Sequence, residues 1–186
     1  MDKKLKKYIE LYEQIEECDR YTLMPNGGMI VLINKEIDCE ILIENITYKL
    51  EPFQSVLINA YEEPIDIKSK ENLSLIAVRF KGAGGSFFYE EYMDQLMHMP
   101  KEPIFLEKDI LTKKIDSYFQ NRFSPSKLPF NIMKIIELLD DKGSSYSIDE
   151  VLAIANVPRK ILDKMFRHRV GLSIKTYASL KEIDKV

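Results

Sequence analysis

Residues 147–177 read SIDEVLAIANVPRKILDKMFRHRVGLSIKTY. Ser147 with Glu150 three residues later is a capping box. The hydroxyl can accept a first-turn backbone N–H while the carboxylate reaches back to the Ser147 N–H, so a helix is predicted to start there. Ile148, Val151, Leu152 and Ala155 then recur at helical spacing and give that helix one apolar face. Asn156 tolerates the left-handed conformation that ends a helix and marks the turn. Pro158 suits the first turn of a second helix, where its missing N–H costs little. Ile161, Leu162, Met165 and Phe166 predict the buried face of that helix. Its other face carries Arg159, Lys160, Asp163, Lys164 and Arg167. Two short helices joined by a tight turn, the second basic on its exposed side, describe a helix-turn-helix.

The pattern extends past the second helix. Phe166 is followed by Gly171, then Leu172-Ser173, then Tyr177. Together with Leu162, these residues resemble the first helix-turn-helix of the AraC/XylS family of bacterial transcription regulators. The family's consensus has an apolar helix, a small turn, a Leu and a Phe, then Gly-Leu-Ser and an aromatic. The resemblance implies that Lys160, Asp163 and Lys164 occupy DNA-facing positions, with Arg159, Arg167 and Arg169 beside them. The chain also departs from the pattern. Leu152 stands where Ala is usual, Pro158 where a Ser caps, Asp163 where Gln is frequent and Glu182 where Arg is common. A carboxylate near phosphates is repulsive. The family has two such units joined by a linker helix. Ser173–Val186 resembles the start of that linker, and the sequence stops there.

Charge supports a nucleic-acid face. Residues 1–143 hold 19 Lys+Arg and 25 Asp+Glu, whereas residues 157–181 hold seven basic residues and one acid. An acidic body with a basic patch near one end suits a regulator with a separate DNA-binding surface. A solvated helical face would show the same charge, and the Gly-Leu-Ser and Tyr spacing is what favours DNA. With 45% hydrophobic and 31% charged residues, the composition is that of an ordinary soluble protein. No apolar run reaches the length of a membrane span. Met1–Lys7 is basic without an apolar region behind it, so no signal peptide is expected. Cys18 and Cys39 stand apart and suit reduced, structural residues of a cytoplasmic protein.

Along the chain, Leu5, Tyr8, Ile9, Tyr12 and Ile15 fall at helical intervals within Asp2–Glu17, which predicts an amphipathic helix or a helix-like arm. From Tyr21 to Lys81 short strands follow: Met29–Ile33, Cys39–Ile43, Ile46–Leu50, Gln54–Asn59, Pro64–Lys68 and Leu73–Phe80. Rich in Ile, Val and Leu and broken by Pro, Asn and Glu, they predict a compact β-sandwich or small barrel. This segment resembles the cupin-like sensory barrel that family members carry before their helix-turn-helix units. The fold class expected is therefore α+β: a small cupin-like barrel over 1–106, a helical linker and dimerisation segment over 107–141, and a partial AraC-type helix-turn-helix over 142–186.

Cupin enzymes hold metal with several His placed on strands. The two histidines here, His98 and His168, fall in predicted helices, so no metal and no cofactor are expected. Gly82-Ala83-Gly84-Gly85 lacks the Lys-Ser/Thr of a phosphate-binding loop and reads as a strand-to-helix turn. A helix is predicted from Ser86 to about Met99, then a linker over Pro100–Leu106. Two helices follow over Asp109–Phe123 and Pro129–Asp141. In the resembled family such helices often form the dimer contact, so Leu111, Ile115 and Phe119 are candidates for a homodimer. The second helix could instead pack under the helix-turn-helix.

The leading expectation is a ligand-responsive regulator of promoter DNA, with no membrane partner. Met24, Tyr48, Phe53 and Tyr61 are candidate effector liners, although each would serve equally as core. The alternative is a dimerising sensory or interaction module with little or no DNA binding. An enzyme is not expected, since no Ser/His/Asp set, carboxylate pair or metal cluster is recognisable.

Overall fold

In a computed structural model the described residues are 1–89, 99–101, 111–124 and 130–183. The fold is α+β. Among the described residues nine strands form two antiparallel sheets: β1 (Ile9–Glu16), β2 (Arg20–Leu23), β3 (Ile30–Asn34), β4 (Cys39–Ile43), β5 (Ile46–Leu50), β6 (Ser55–Ile58), β7 (Ile65–Ser69), β8 (Ser74–Phe80) and β9 (Met99–Lys101). The five-stranded sheet runs β1-β8-β3-β6-β9 and the four-stranded sheet β2-β7-β4-β5. The α-helices among the described residues are α1 (Leu111–Arg122), α2 (Phe130–Lys142), α3 (Ile148–Ala155), α4 (Arg159–Val170) and α5 (Ile174–Ile183).

The five-stranded sheet is a middle layer. All five residues of β3 are buried, because successive side chains point to opposite faces and both faces are covered. Ile30 and Leu32 join Val56, Ile58, Leu75 and Ala77 in the core between the sheets. Val31 and Ile33 join Leu57, Ile76, Val78 and Phe80 in a second core on the other face. In β4 and β7 only one face is covered, so Cys39, Ile41, Ile43, Ile65 and Ile67 alternate with exposed residues. Burial also pushes the Cys39 thiol up to about 12, which keeps it protonated and inert.

The second core is closed by aromatic rings. Phe119 of α1 lies 5.4 Å from Phe80 and 5.4 Å from Phe88, edge to face. Ile115 and Phe119 are 1% and 0% exposed in this packing. The expectation that they form an exposed dimer patch is therefore corrected: their apolar surface is already consumed within one chain. The side chain of Leu111 lies outside the described residues. Helix α2 faces the other way. Ile132, Ile135, Ile136 and Leu139 pack with α3, α4 and α5, the alternative position foreseen for this helix.

Two further expectations change. Asp2–Glu17 is a 3₁₀ turn over Leu5–Lys7 followed by strand β1. The register of β1 against β8 shifts between Ile9 and Leu11. That irregularity sends Ile9 to the aromatic core and Ile15 to the core between the sheets, which breaks simple alternation and mimics helical spacing. The helix expected over Ser86–Met99 is a 3₁₀ turn over Gly82–Phe87 at its start and strand β9 at its end. Its middle, with His98, lies outside the described residues.

Candidate nucleic-acid interface

Local chemistry sets the geometry of α3 and α4. The Ser147 N–H donates to the Glu150 carboxylate at 3.4 Å. Asn156 ends α3 at φ 51, and Gly171 ends α4 at φ 93, where its N–H donates to the Arg167 carbonyl at 2.8 Å. A left-handed residue at these two points turns the chain sharply and satisfies an orphan carbonyl. The Ser173 hydroxyl accepts the Thr176 N–H at 3.0 Å and opens α5. The Gly-Leu-Ser run thus works as helix stop, buried Leu172 and helix start.

Leu162, Phe166 and Val170 turn inward from α4 and are 0–2% exposed. Arg159, Lys160, Asp163, Lys164 and Arg167 are exposed together. Lys160, Lys164 and Arg167 are spaced i, i+4 and i+7 and so share one side of the helix. Ile161, read from sequence as part of the buried face, is instead 54% exposed. The core lies toward Leu162, under α2, and Ile161 falls beyond its rim. Arg169 differs from the other cations. It is partly buried, and its carbonyl accepts the Ser86 hydroxyl at 2.8 Å.

That hydrogen bond belongs to a contact between the helices and the sheets that the sequence did not disclose. Tyr177 is fully buried and packs 5.8 Å from Phe166. Its hydroxyl donates to Asp140 at 2.6 Å, and Lys181 lies 5.6 Å from its ring centre. The ring rests on Gly27, where an added Cβ would approach its edge to 2.7 Å. Ala83 is buried among the helical side chains. Burial raises the Asp140 pKa although much of the residue is exposed, while the Tyr177 hydrogen bond and Lys181 act in the opposite direction. The available signal was the pairing of small residues at 27 and 82–85, which marks close approach but does not name the partner.

The candidate effector liners do not assemble. Met24 and Phe53 are 55% and 50% exposed. Tyr48 is half-buried at the margin of the core between the sheets, and Tyr61 is buried within it. The Tyr61 hydroxyl and Arg79 both donate to the Met24 carbonyl, at 2.8 and 2.9 Å. Arg79 also pairs with Glu13 at 2.7 Å, and the Tyr21 hydroxyl donates to the same carboxylate. Among the described residues no group of His, Cys, Asp and Glu is placed to hold a metal ion. No helix among them is long and apolar enough to cross a membrane.

No known family profile matches the sequence, and no curated protein matches it. Solved structures do. A structure of ToxT from Vibrio cholerae superposes with a TM-score of 0.56 at 10% identity, covering 94% of this chain and 81% of that one. ToxT bound to (E)-4-(8-methylnaphthalen-1-yl)but-3-enoic acid gives 0.56 at 11% identity, over 94% and 81% of the two chains. ToxT with bound unsaturated fatty acid gives 0.55 at 12%, over 94% and 77%. At such identities the likeness is one of fold, and this chain shares the fold of ToxT across both its sheets and its helices.

Proposed function

We propose that this chain is a DNA-binding transcription regulator of AraC/XylS type that responds to a small molecule, with α3 and α4 as its helix-turn-helix. The observation that carries the reading is α4 itself. Its inner side is fixed by Leu162, Phe166 and Val170, and its outer side presents Lys160, Lys164 and Arg167 to solvent. A major groove admits a helix held this way, where side chains reach base edges and flanking cations meet phosphates. The fold shared with ToxT supports the same reading. The effector rests on those neighbours alone, since ToxT has been solved with an unsaturated fatty acid and with an arylbutenoic acid. Pairing of two chains through Ile115 and Phe119 is not retained, because both are buried.

A second reading has one observation in its favour. Asp163 is exposed beside Lys160 and Lys164, and its charge opposes a phosphate backbone. A sensory or interaction module that binds DNA weakly would tolerate it. Selection of bound duplexes from a random library separates the two. Enrichment of one sequence, lost in Lys160→Ala/Lys164→Ala, is the expected result. A pool that stays random after repeated rounds would remove the regulator reading.

A further inference from the structure

We infer that the basic arm Lys3–Lys7 is a second DNA-backbone contact, continuous with the end of α4. The inference rests on the DNA-binding reading above and extends it to a surface outside the helix-turn-helix.

Four lysines, Lys3, Lys4, Lys6 and Lys7, crowd into this arm with one acid, Asp2, beside them. Residues 8–143 by contrast hold 15 basic and 24 acidic side chains. All four lysines are exposed, and among the described residues none of their ammonium groups takes part in an ion pair. Elsewhere on the acidic body Lys35 pairs with Glu16 and Lys68 with Glu40. A cluster that keeps its charge unpaired holds a concentrated positive field.

The arm is also fixed in place. Leu5, in the middle of the run, is 2% exposed and anchors it to the aromatic core. The Lys81 N–H donates to the Tyr8 carbonyl at 2.8 Å, and the Lys81 ammonium donates to the Lys6 carbonyl at 2.9 Å. Gly84 sits so close to the Tyr8 carbonyl that a Cβ would lie 2.2 Å from it. Two residues further on, Ser86 holds the Arg169 carbonyl at the end of α4. Two residues of 3₁₀ turn rise about 4 Å. One short turn therefore joins the arm to the C-terminal end of the helix proposed to enter the groove. Each DNA strand presents a phosphate about every 3.4 Å of axis, so arm and helix end suit a shared run of backbone.

The test changes Lys3, Lys4, Lys6 and Lys7 to Gln in the full chain and follows binding of labelled duplex DNA over a range of salt. Each phosphate contact contributes about 0.9 to the slope of log affinity against log salt. The expected result is a slope lowered by about two or more, with affinity falling equally on an enriched and a random duplex. An unchanged slope and affinity would overturn the arm while leaving α4 in place. No duplex binding by the wild-type chain would overturn the DNA reading and the arm with it. Capture by phosphatidylserine vesicles through these lysines, with DNA binding unaltered, would assign the arm to a membrane surface and also overturn it. An unchanged melting temperature of the variant confirms that the comparison is between folded proteins.

Discussion

The Tyr177 hydroxyl donates to the Asp140 carboxylate at 2.6 Å, and the same ring fills the space above Gly27. One side chain thus ties α5 to α2 and both to the sheets. The aromatic that completes the Gly-Leu-Ser pattern in the sequence is one of the points at which the helices meet the β-domain, beside the Ser86–Arg169 hydrogen bond.

Tyr177→Phe keeps the ring and removes the donor. The Asp140 carboxylate then loses its partner, at a cost of about 1 kcal/mol, the low end for such a loss because water still reaches Asp140. Tyr177→Ala also empties the space against Phe166 and Gly27 and costs about 3–5 kcal/mol. Chemical denaturation of the two variants gives both values, and equal costs would show that the hydrogen bond, not the ring, dominates.

Asp140 also sets a pH dependence. Its pKa is raised from 3.8 in the folded chain, mainly by burial. Between the unfolded and the raised value the folded chain keeps a proton that the unfolded chain has lost. Stability from this group therefore falls as pH rises through that window. Asp140→Asn removes the charge and retains an oxygen for Tyr177. The unfolding midpoint of the variant should vary less with pH across that window, by a small amount because solvent screens the site. A steeper dependence than wild type would reverse the sign of the argument.

Phe119→Ala should act on folding and not on assembly. The ring is fully buried against Phe80 and Phe88, so its loss costs about 3–5 kcal/mol. Sedimentation of the folded variant should match wild type. A shift of oligomeric state at unchanged stability would restore the dimer expectation.

What was legible in the sequence follows from where each signal acts. Ser147 and Asn156 work through bonds within a few residues, so the bounds of α3 could be read directly. Strands β4 and β7, covered on one face, alternate plainly. Strand β1 does not, because the shift after Ile9 sends Ile9 and Ile15 to different cores. Ile161 and Leu162 are both apolar neighbours, and only the position of α2 decides which is buried. The contact of Tyr177 with Gly27 joins residues 150 positions apart in the chain, and no local pattern encodes it. The candidate DNA-facing residues came from the family resemblance; Arg159, Lys160, Asp163, Lys164 and Arg167 are exposed on α4, whereas Arg169 is partly buried.

The basic face of α4 is the central claim, and a salt titration of Lys160→Ala/Lys164→Ala against wild type on one selected duplex tests it most directly. Each lost base contact should cost about 1–3 kcal/mol on the selected duplex, while the salt slope, set by the phosphate contacts, should change little. Asp163→Asn should move affinity the other way, since it removes a repulsive charge. Wild-type affinity in the double variant would contradict the claim and leave Lys160 and Lys164 as a solvated surface.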